Sequence, residues 1–333
     1  MRAYRLTGPD APLNLVEEAD PRPGRGEILV DLKAATLNFR DTIVRRASYG
    51  GEQKPDLIPL SDGAGVIADV GEGVGRERIG ERVAIGFMPT WMEGSFSAAK
   101  QAGALGGGFV DGVLAERIVV PAASAARIPD GWSFEEAASY PCAGVTAWNC
   151  LFGGRGIRPG ETVLVEGTGG VSTFALQLAR AAGARVIATS SSDEKLVRAR
   201  ELGADEVINY RAVQDWGRRA AEIAGRDGVD LVVEVGKPAT LDQALAAVRP
   251  GGEVALVGVL TGFGGPVNTG AILSKAVHLR GVYVGSVADL AAAMRSGVRP
   301  IIDEVFPFAQ ADAAYAHLLS GSHIGKVAIR MAE

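Results

Sequence analysis

The segment Gly167-Thr168-Gly169-Gly170-Val171-Ser172 has the residue types and spacing to do chemistry. It follows the apolar run TVLVEG (162–167). It also opens a stretch in which Val171, Phe174, Leu178 and Ala182 recur at i, i+3, i+7 and i+11, the single apolar stripe of a helix. Gly167 permits a tight turn. Gly169 and Gly170 let backbone N–H groups approach a diphosphate, and the helix N-terminus adds partial positive charge. Ser172 is a small substitute at the third position of G-x-G-x-x-G. A strand, this turn and a helix in succession predict a nicotinamide dinucleotide site.

The second strand of such a unit commonly ends in a carboxylate that takes the ribose 2′-hydroxyl of NAD. Here it ends in Ser190-Ser191-Ser192, with Lys195 and Arg198 beyond. Hydroxyls and a cation suit a 2′-phosphate, which points to NADP (NADPH) rather than NAD. Asp193 and Glu194 stand where the next helix starts, and N-terminal charge there explains them. Val257, Gly258 and Leu260 end the fifth strand, at the carboxyl edge where ligands bind in open α/β sheets.

These residues need a sheet to hold them. Six apolar runs, TVLVEG, RVIATS, EVINY, DLVVEVG, EVALVGV and LRGVYVG, alternate with segments mostly long enough for helices. They predict an α/β domain, a Rossmann doubly wound parallel sheet over 143–285. Before it lie short β-type runs punctuated by Gly and Pro, and after it a mixed stretch ending in KVAIRM. Residues 1–142 and 286–333 are therefore expected to build one discontinuous second domain, with substrate in a cleft between the two.

A length of 333 residues suits two domains. The net charge of −5, with both signs interspersed, leaves no basic footprint for nucleic acid or anionic lipid. Cys142 and Cys150 form no disulfide framework. No apolar leader and no run of about 18 apolar residues is visible, so a cytoplasmic enzyme without membrane attachment is expected.

Together, Leu37-Asn38-Phe39-Arg40-Asp41, the run 58–65 (IPLSDGAG), Val70-Gly71-Glu72-Gly73-Val74, Gly80-Glu81-Arg82-Val83, the run 141–147 (PCAGVTA), the glycine turn and the run 321–327 (GSHIGKV) resemble the medium-chain dehydrogenase/reductase superfamily over nearly the whole chain. The resemblance implies a GroES-like β-barrel catalytic domain made from both chain ends, and a homodimer paired through the edge strand near 279–285. Zinc alcohol dehydrogenases of that superfamily hold a catalytic zinc at positions that match Asn38, Ser61 and Cys142. Of these, only Cys142 is a strong ligand type, and a catalytic zinc takes about three protein ligands. Nor does 88–115 contain the four cysteines of the additional lobe. The chain thus resembles the zinc-free branch, with its quinone oxidoreductases, enone reductases and enoyl thioester reductases. No zinc is expected.

Within that branch, Asn38 and Asp41 match an N-x-x-D signature beside the nicotinamide. Tyr49 matches, by spacing from Asn38, the catalytic tyrosine of the enoyl thioester reductases. It is read either as a proton donor or as a lid or packing residue. Thr146 matches a threonine on the nicotinamide, Tyr210 a tyrosine on the adenosine phosphate, and Lys326 a basic residue that reaches the pyrophosphate. Arg40 suggests a phosphate contact to the cofactor or a surface salt bridge, with a carbonyl or an acidic substrate as the alternative. The loop 87–92 (FMPTWM) suggests either a substrate-pocket wall or a dimer or domain contact. The resemblance implies hydride transfer from NADPH to an activated C=C or a quinone. An alcohol or aldehyde dehydrogenase and a non-catalytic NADPH-binding protein stay open as alternatives.

Overall fold

A computed structural model describes residues 1–49, 52–225, 227–236, 238–258, 265 and 267–331. The chain forms two compact units, Met1–Val145 with Gly285–Glu333, and Thr146–Val284. The sequence places its divisions after 142 and after 285. Among the described residues no helix is long and apolar enough to cross a membrane.

In the Thr146–Val284 unit six strands form one parallel sheet. Their order across it is Glu206–Asn209, Arg185–Ser190, Thr162–Glu166, Val229–Glu234, Val248–Leu256 and His278–Gly281. Chain order therefore runs 3-2-1-4-5-6, the order of the dinucleotide-binding fold. The helices Gly170–Ala181, Asp193–Glu201, Trp216–Ala224 and Pro238–Ala247 intervene between successive strands. Parallel strands need such crossovers, and the helices bury both sheet faces. That is why Thr162–Glu166 is buried at every position rather than alternating. Leu164, Ile187, Ile208, Trp216, Val232, Leu241 and Val254 form one cluster there. The fifth strand begins at Val248, before the run EVALVGV, because Val248 pairs with Val229 and the register then shifts before Leu231. The Gly170–Ala181 helix is buried more broadly than one stripe: Ser172, Thr173, Ala175, Leu176 and Ala179 join Phe174 and Leu178 in the interior.

The other unit holds a seven-stranded sheet. Its main path is Ile302–Pro307, Lys326–Arg330, Glu27–Thr36, Asp62–Val70, Arg82–Ile85 and Ala125–Arg127, with Arg117–Pro121 also paired to Glu27–Thr36. Lys326–Arg330 lies antiparallel to Glu27–Thr36, with Ile329 opposite Ala35. This pairing makes one body from both ends of the chain. Ile28, Val30, Leu37, Ile67, Ile85, Val113, Tyr315, Val327 and Ile329 share its core. Gly65 sits where Asp62–Val70 meets Glu27–Thr36 most closely, and a Cβ on it would lie 2.1 Å from the Asp31 carbonyl oxygen. The run SDGAG therefore requires glycine at that position.

Candidate active site

In the Thr146–Val284 unit the chain leaves the Thr162–Glu166 strand and turns at Gly167, whose φ of +74° lies in the region open to glycine. Ser172 Oγ donates to the Glu166 carbonyl oxygen at 2.6 Å, pinning the helix start to the strand end. Gly169 caps the Gly170–Ala181 helix. A Cβ on it would meet nothing within 4 Å, so the space before the turn is open. Thr168, between them, is buried. The backbone of the turn is shaped as an anion cradle requires.

The second-strand end gathers the other expected residues. Ser190 is buried, and its carbonyl oxygen accepts the Tyr210 N–H at 3.1 Å. Ser192 caps the Asp193–Glu201 helix, and its Oγ accepts the Lys195 N–H at 3.5 Å. Ser191 and Lys195 are half-buried beside it, and Tyr210 is partly exposed. Asp193 sits in the first helical turn, where Asn209 Nδ2 donates to its carboxylate at 2.7 Å. At the next edge, Val257 and Gly258 donate backbone N–H groups to the Glu234 carbonyl oxygen at 2.9 and 3.0 Å. A Cβ on Gly258 would come within 2.2 Å of the Val235 carbonyl carbon. Leu260 lies outside the described residues. Thr146 is buried in the Val145–Phe152 helix.

In the other unit, Asn38 caps the short helix Phe39–Arg45, and its N–H donates to Asp41 Oδ2 at 2.7 Å. Asp41 is fully buried. Burial pushes its carboxyl up to about 6, against the pull of Arg40. Arg40 donates to Asp41 Oδ1 at 2.9 Å and to the Gly106 carbonyl oxygen at 3.2 Å. Its guanidinium lies between two rings, 4.6 Å from the centroid of Tyr49 and 4.8 Å from that of Phe87, a cation–π sandwich. Burial works against that charge, but the neighbouring Tyr49 phenol and the Asp41 carboxylate outweigh it and hold Arg40 above its ordinary range.

A second buried charge sits beside this one. Lys326 Nζ donates to Asn38 Oδ1 at 2.6 Å and lies 3.5 Å from Asp62 Oδ2. Asp62 also accepts the Ser61 hydroxyl at 2.7 Å and the Cys142 N–H at 3.3 Å. Lysine has donors only, so the amide oxygen of Asn38 must face it. That fixes the amide and leaves Nδ2, buried and without a hydrogen-bond partner, as an available donor. The thiol of Cys142 is pushed far up by burial and then by Asp62.

Residues 24–130 match the family model for an alcohol dehydrogenase GroES-like domain, and residues 170–298 match that for a zinc-binding dehydrogenase. A zinc-type alcohol dehydrogenase-like protein of Schizosaccharomyces pombe, C1773.06c, is 42% identical over 316 residues, covering 92% of this chain and 91% of its own. The chain belongs to the medium-chain dehydrogenase/reductase superfamily. Its enzymes are oxidoreductases, and so is this one. A solved candidate alcohol dehydrogenase from Sinorhizobium meliloti 1021 superposes with a TM-score of 0.92 at 38% identity, over 99% of this chain and 98% of that one. The quinone oxidoreductase of Thermus thermophilus, solved also in complex with NADPH, gives 0.78 at 30% identity, over 99% and 100%.

For this dehydrogenase/reductase the structure brings Asn38, Asp41, Arg40 and Tyr49 together and corrects four expectations. Arg40 is neither a phosphate contact nor a surface salt bridge, because its guanidinium is buried against Asp41 and two rings. Lys326 does not extend outward as a pyrophosphate ligand would; its ammonium is spent on Asn38 and Asp62. Asp41 does not face open space: it is fully buried and accepts from the Asn38 N–H and from Arg40. In the loop 87–92, Phe87, Met88 and Trp91 are buried, and Phe87 backs the Arg40 guanidinium rather than lining an open wall. Sequence reasoning missed Glu166 and Glu234, two carboxyls buried at adjacent strand ends. Their signal was a glutamate closing each of two apolar runs, LVEG and VVEVG.

Removing Lys326 leaves Asp62 buried without its cation. Lys326→Met is expected to lower the unfolding free energy by about 3–5 kcal/mol, and adding Asp62→Asn should recover part of the loss. Denaturant titration reads both, and a Lys326→Met variant as stable as the parent would contradict the pairing.

Proposed function

We propose that this enzyme is a zinc-independent, NADPH-dependent reductase that transfers hydride to an activated C=C of an enone or enoyl compound, or to a quinone. The observation that carries the reading is the ammonium of Lys326 on Asn38. The positions matching the zinc ligands hold an amide, a hydroxyl and one thiol held far above its ordinary range, and a fixed positive charge already lies among them. A divalent cation beside that ammonium would be repelled, and one thiol cannot hold zinc. Alcohol oxidation would then lack the metal that stabilises an alkoxide.

Bound NADPH supplies the hydride. Support for the phosphate-bearing dinucleotide is the uncharged Ser190-Ser191-Ser192 end of the second strand with Lys195 beside it. Hydride addition at the β-carbon leaves negative charge on the carbonyl oxygen. Asn38 Nδ2, left without a partner because Lys326 takes Oδ1, is the donor for that oxygen, and one such donor contributes roughly 10²–10³ in rate. Tyr49 supplies the proton to the α-carbon. Arg40, stacked on its ring, stabilises the negative charge left on the phenol oxygen. Asp41 holds Arg40 and the helix start in place.

The His278–Gly281 strand is the outer strand of its sheet, which supports a homodimer formed by pairing that edge with its copy. Purified enzyme should therefore sediment as a dimer, carry far less than one zinc per chain and keep its activity in EDTA. Stoichiometric zinc that leaves together with activity would return the alcohol dehydrogenase reading.

Ser190→Asp is expected to shift preference from NADPH toward NADH, since a carboxylate there repels a 2′-phosphate and accepts from a free 2′-hydroxyl. A charge-assisted contact is worth roughly 1.5–3 kcal/mol, so the ratio of the two KM values should move about ten- to hundredfold. Equal losses for both cofactors would contradict the assignment.

Tyr49→Phe should slow reduction of an enone with NADPH affinity unchanged. General acid help is worth about 10²–10⁴, and water can replace part of it. Quinone reduction should barely change, because the reduced oxygen takes its proton from solvent. Enone reduction at the parent rate would show Tyr49 to be a packing residue.

A further inference from the structure

The sheet of the Thr146–Val284 unit carries two glutamates that the hydride chemistry does not use. Val233 stands opposite Val165 in the parallel ladder, so the next residues, Glu234 and Glu166, are neighbours on adjacent strands. Residues in register leave the sheet on the same face, from strands about 4.8 Å apart. Glu166 is 4% exposed and Glu234 0%. Their carboxyls converge on Gly236. Its N–H donates to Glu234 Oε1 at 2.9 Å, and Glu166 Oε2 lies 3.3 Å from where a Cβ on Gly236 would stand. Thr240 Oγ1 also donates to Glu234 Oε1. Neither carboxyl oxygen of Glu166 has a well-formed hydrogen bond.

Two ionised carboxylates so placed, away from water, repel each other. One proton between them removes the repulsion, and Glu166 is the place for it, since Glu234 already accepts two donors. Burial and then the neighbouring Glu234 hold the Glu166 carboxyl well above its usual range, while the amides of Val235 and Gly236 pull it down less. Uncharged residues also stand beside the pair. Thr189 is opposite Glu166 on the Arg185–Ser190 strand, Ser172 is on the Gly170–Ala181 helix, and Thr240 is on the Pro238–Ala247 helix. Glu234 is the charged group that acts most strongly on Glu166.

We propose that Glu166 and Glu234 hold one proton between them, and that this proton keeps the dinucleotide turn in its binding shape. The connection runs through the backbone. The Glu166 carbonyl oxygen anchors Ser172, at the start of the glycine-turn helix, and the Glu234 carbonyl oxygen anchors Val257 and Gly258. Pushing the two strand ends apart displaces both walls of the dinucleotide site. Glu166 is therefore a positioning residue, and the proposal rests on the dinucleotide reading of this turn.

Glu166→Gln tests it, because an amide donates to Glu234 at every pH. NADPH affinity is measured by fluorescence titration from neutral to alkaline pH in both proteins, and the comparison cancels the titration of NADPH itself. The parent should lose affinity by up to about tenfold per pH unit once the pair ionises, while the Gln variant stays flat. Glu234→Gln, which also leaves the pair with a single negative charge or none, should be flat too.

Denaturant unfolding without NADPH gives a second readout. The folded value of Glu166 is raised, so its stabilisation is complete at low pH and is lost as pH rises. Relative to the Gln variant, the parent's unfolding constant should grow by up to about tenfold per pH unit above the ordinary glutamate range. It should level off once Glu166 ionises in the fold. Parallel pH dependence of stability in both proteins would overturn the shared proton. A stability difference without an affinity difference would overturn its link to the turn. If neither protein binds NADPH while the stability difference persists, the dinucleotide reading fails and takes the turn-shaping role with it; the shared proton is then supported on its own.

Discussion

A buried ammonium has to be paired, and one unit of this enzyme is arranged around that requirement. Lys326 satisfies its charge with the oxygen of Asn38 and the carboxylate of Asp62. Each partner is in turn held by its own contacts. Asn38 is held through its N–H on Asp41, and Asp62 through the hydroxyl of Ser61 and the N–H of Cys142. Four separated stretches of sequence, around residues 38, 61, 142 and 326, are thereby fixed to one another. Such networks are stable only when every member is satisfied. Two members are left over here, the Asn38 amide hydrogens and Nε of Arg40, and both are donors.

The two units solve a similar electrostatic problem in opposite ways. In the Met1–Val145 and Gly285–Glu333 unit, burial is answered by opposite charge: Arg40 with Asp41, Lys326 with Asp62. In the Thr146–Val284 unit two like groups stand side by side at the strand ends, and the simplest neutralising agent is a proton. The first arrangement sets each buried cation directly against a buried carboxylate. The second is tied to the acidity of a single carboxyl.

Much of this was legible in the sequence, for physical reasons. Strands covered on both faces are continuous apolar runs, and a dinucleotide turn needs glycine where φ is positive, so Gly167 and its strand stand out. The family resemblance likewise led to Asn38, Asp41 and Tyr49. What the sequence could not show was where long side chains end. Arg40 and Lys326 each have several rotatable bonds, and the partners that bury them lie far away in the chain: Phe87 and Gly106 for one, Asp62 and Asn38 for the other. The Glu166–Glu234 pair was hidden for a related reason. Each glutamate looks unremarkable by itself, and only the register of the sheet makes them neighbours.

The pairing of Lys326–Arg330 with Glu27–Thr36 also bears on how the molecule comes into being. Glu27–Thr36 is made early in synthesis and Lys326–Arg330 long after it, with the entire Thr146–Val284 unit translated in between. That intervening unit is one contiguous stretch, and contiguous domains can fold as they emerge. The first-made strand has no such option on this side. On that edge Arg117–Pro121 takes Glu27–Asp31, but Ala34–Thr36 stays unpaired until the ribosome has passed residue 330, and exposed edges of this kind invite adventitious pairing. Because the same late strand brings Lys326, the buried Lys326, Asn38 and Asp62 network is completed last, and a nascent chain can hold a finished Thr146–Val284 sheet well before it holds that network.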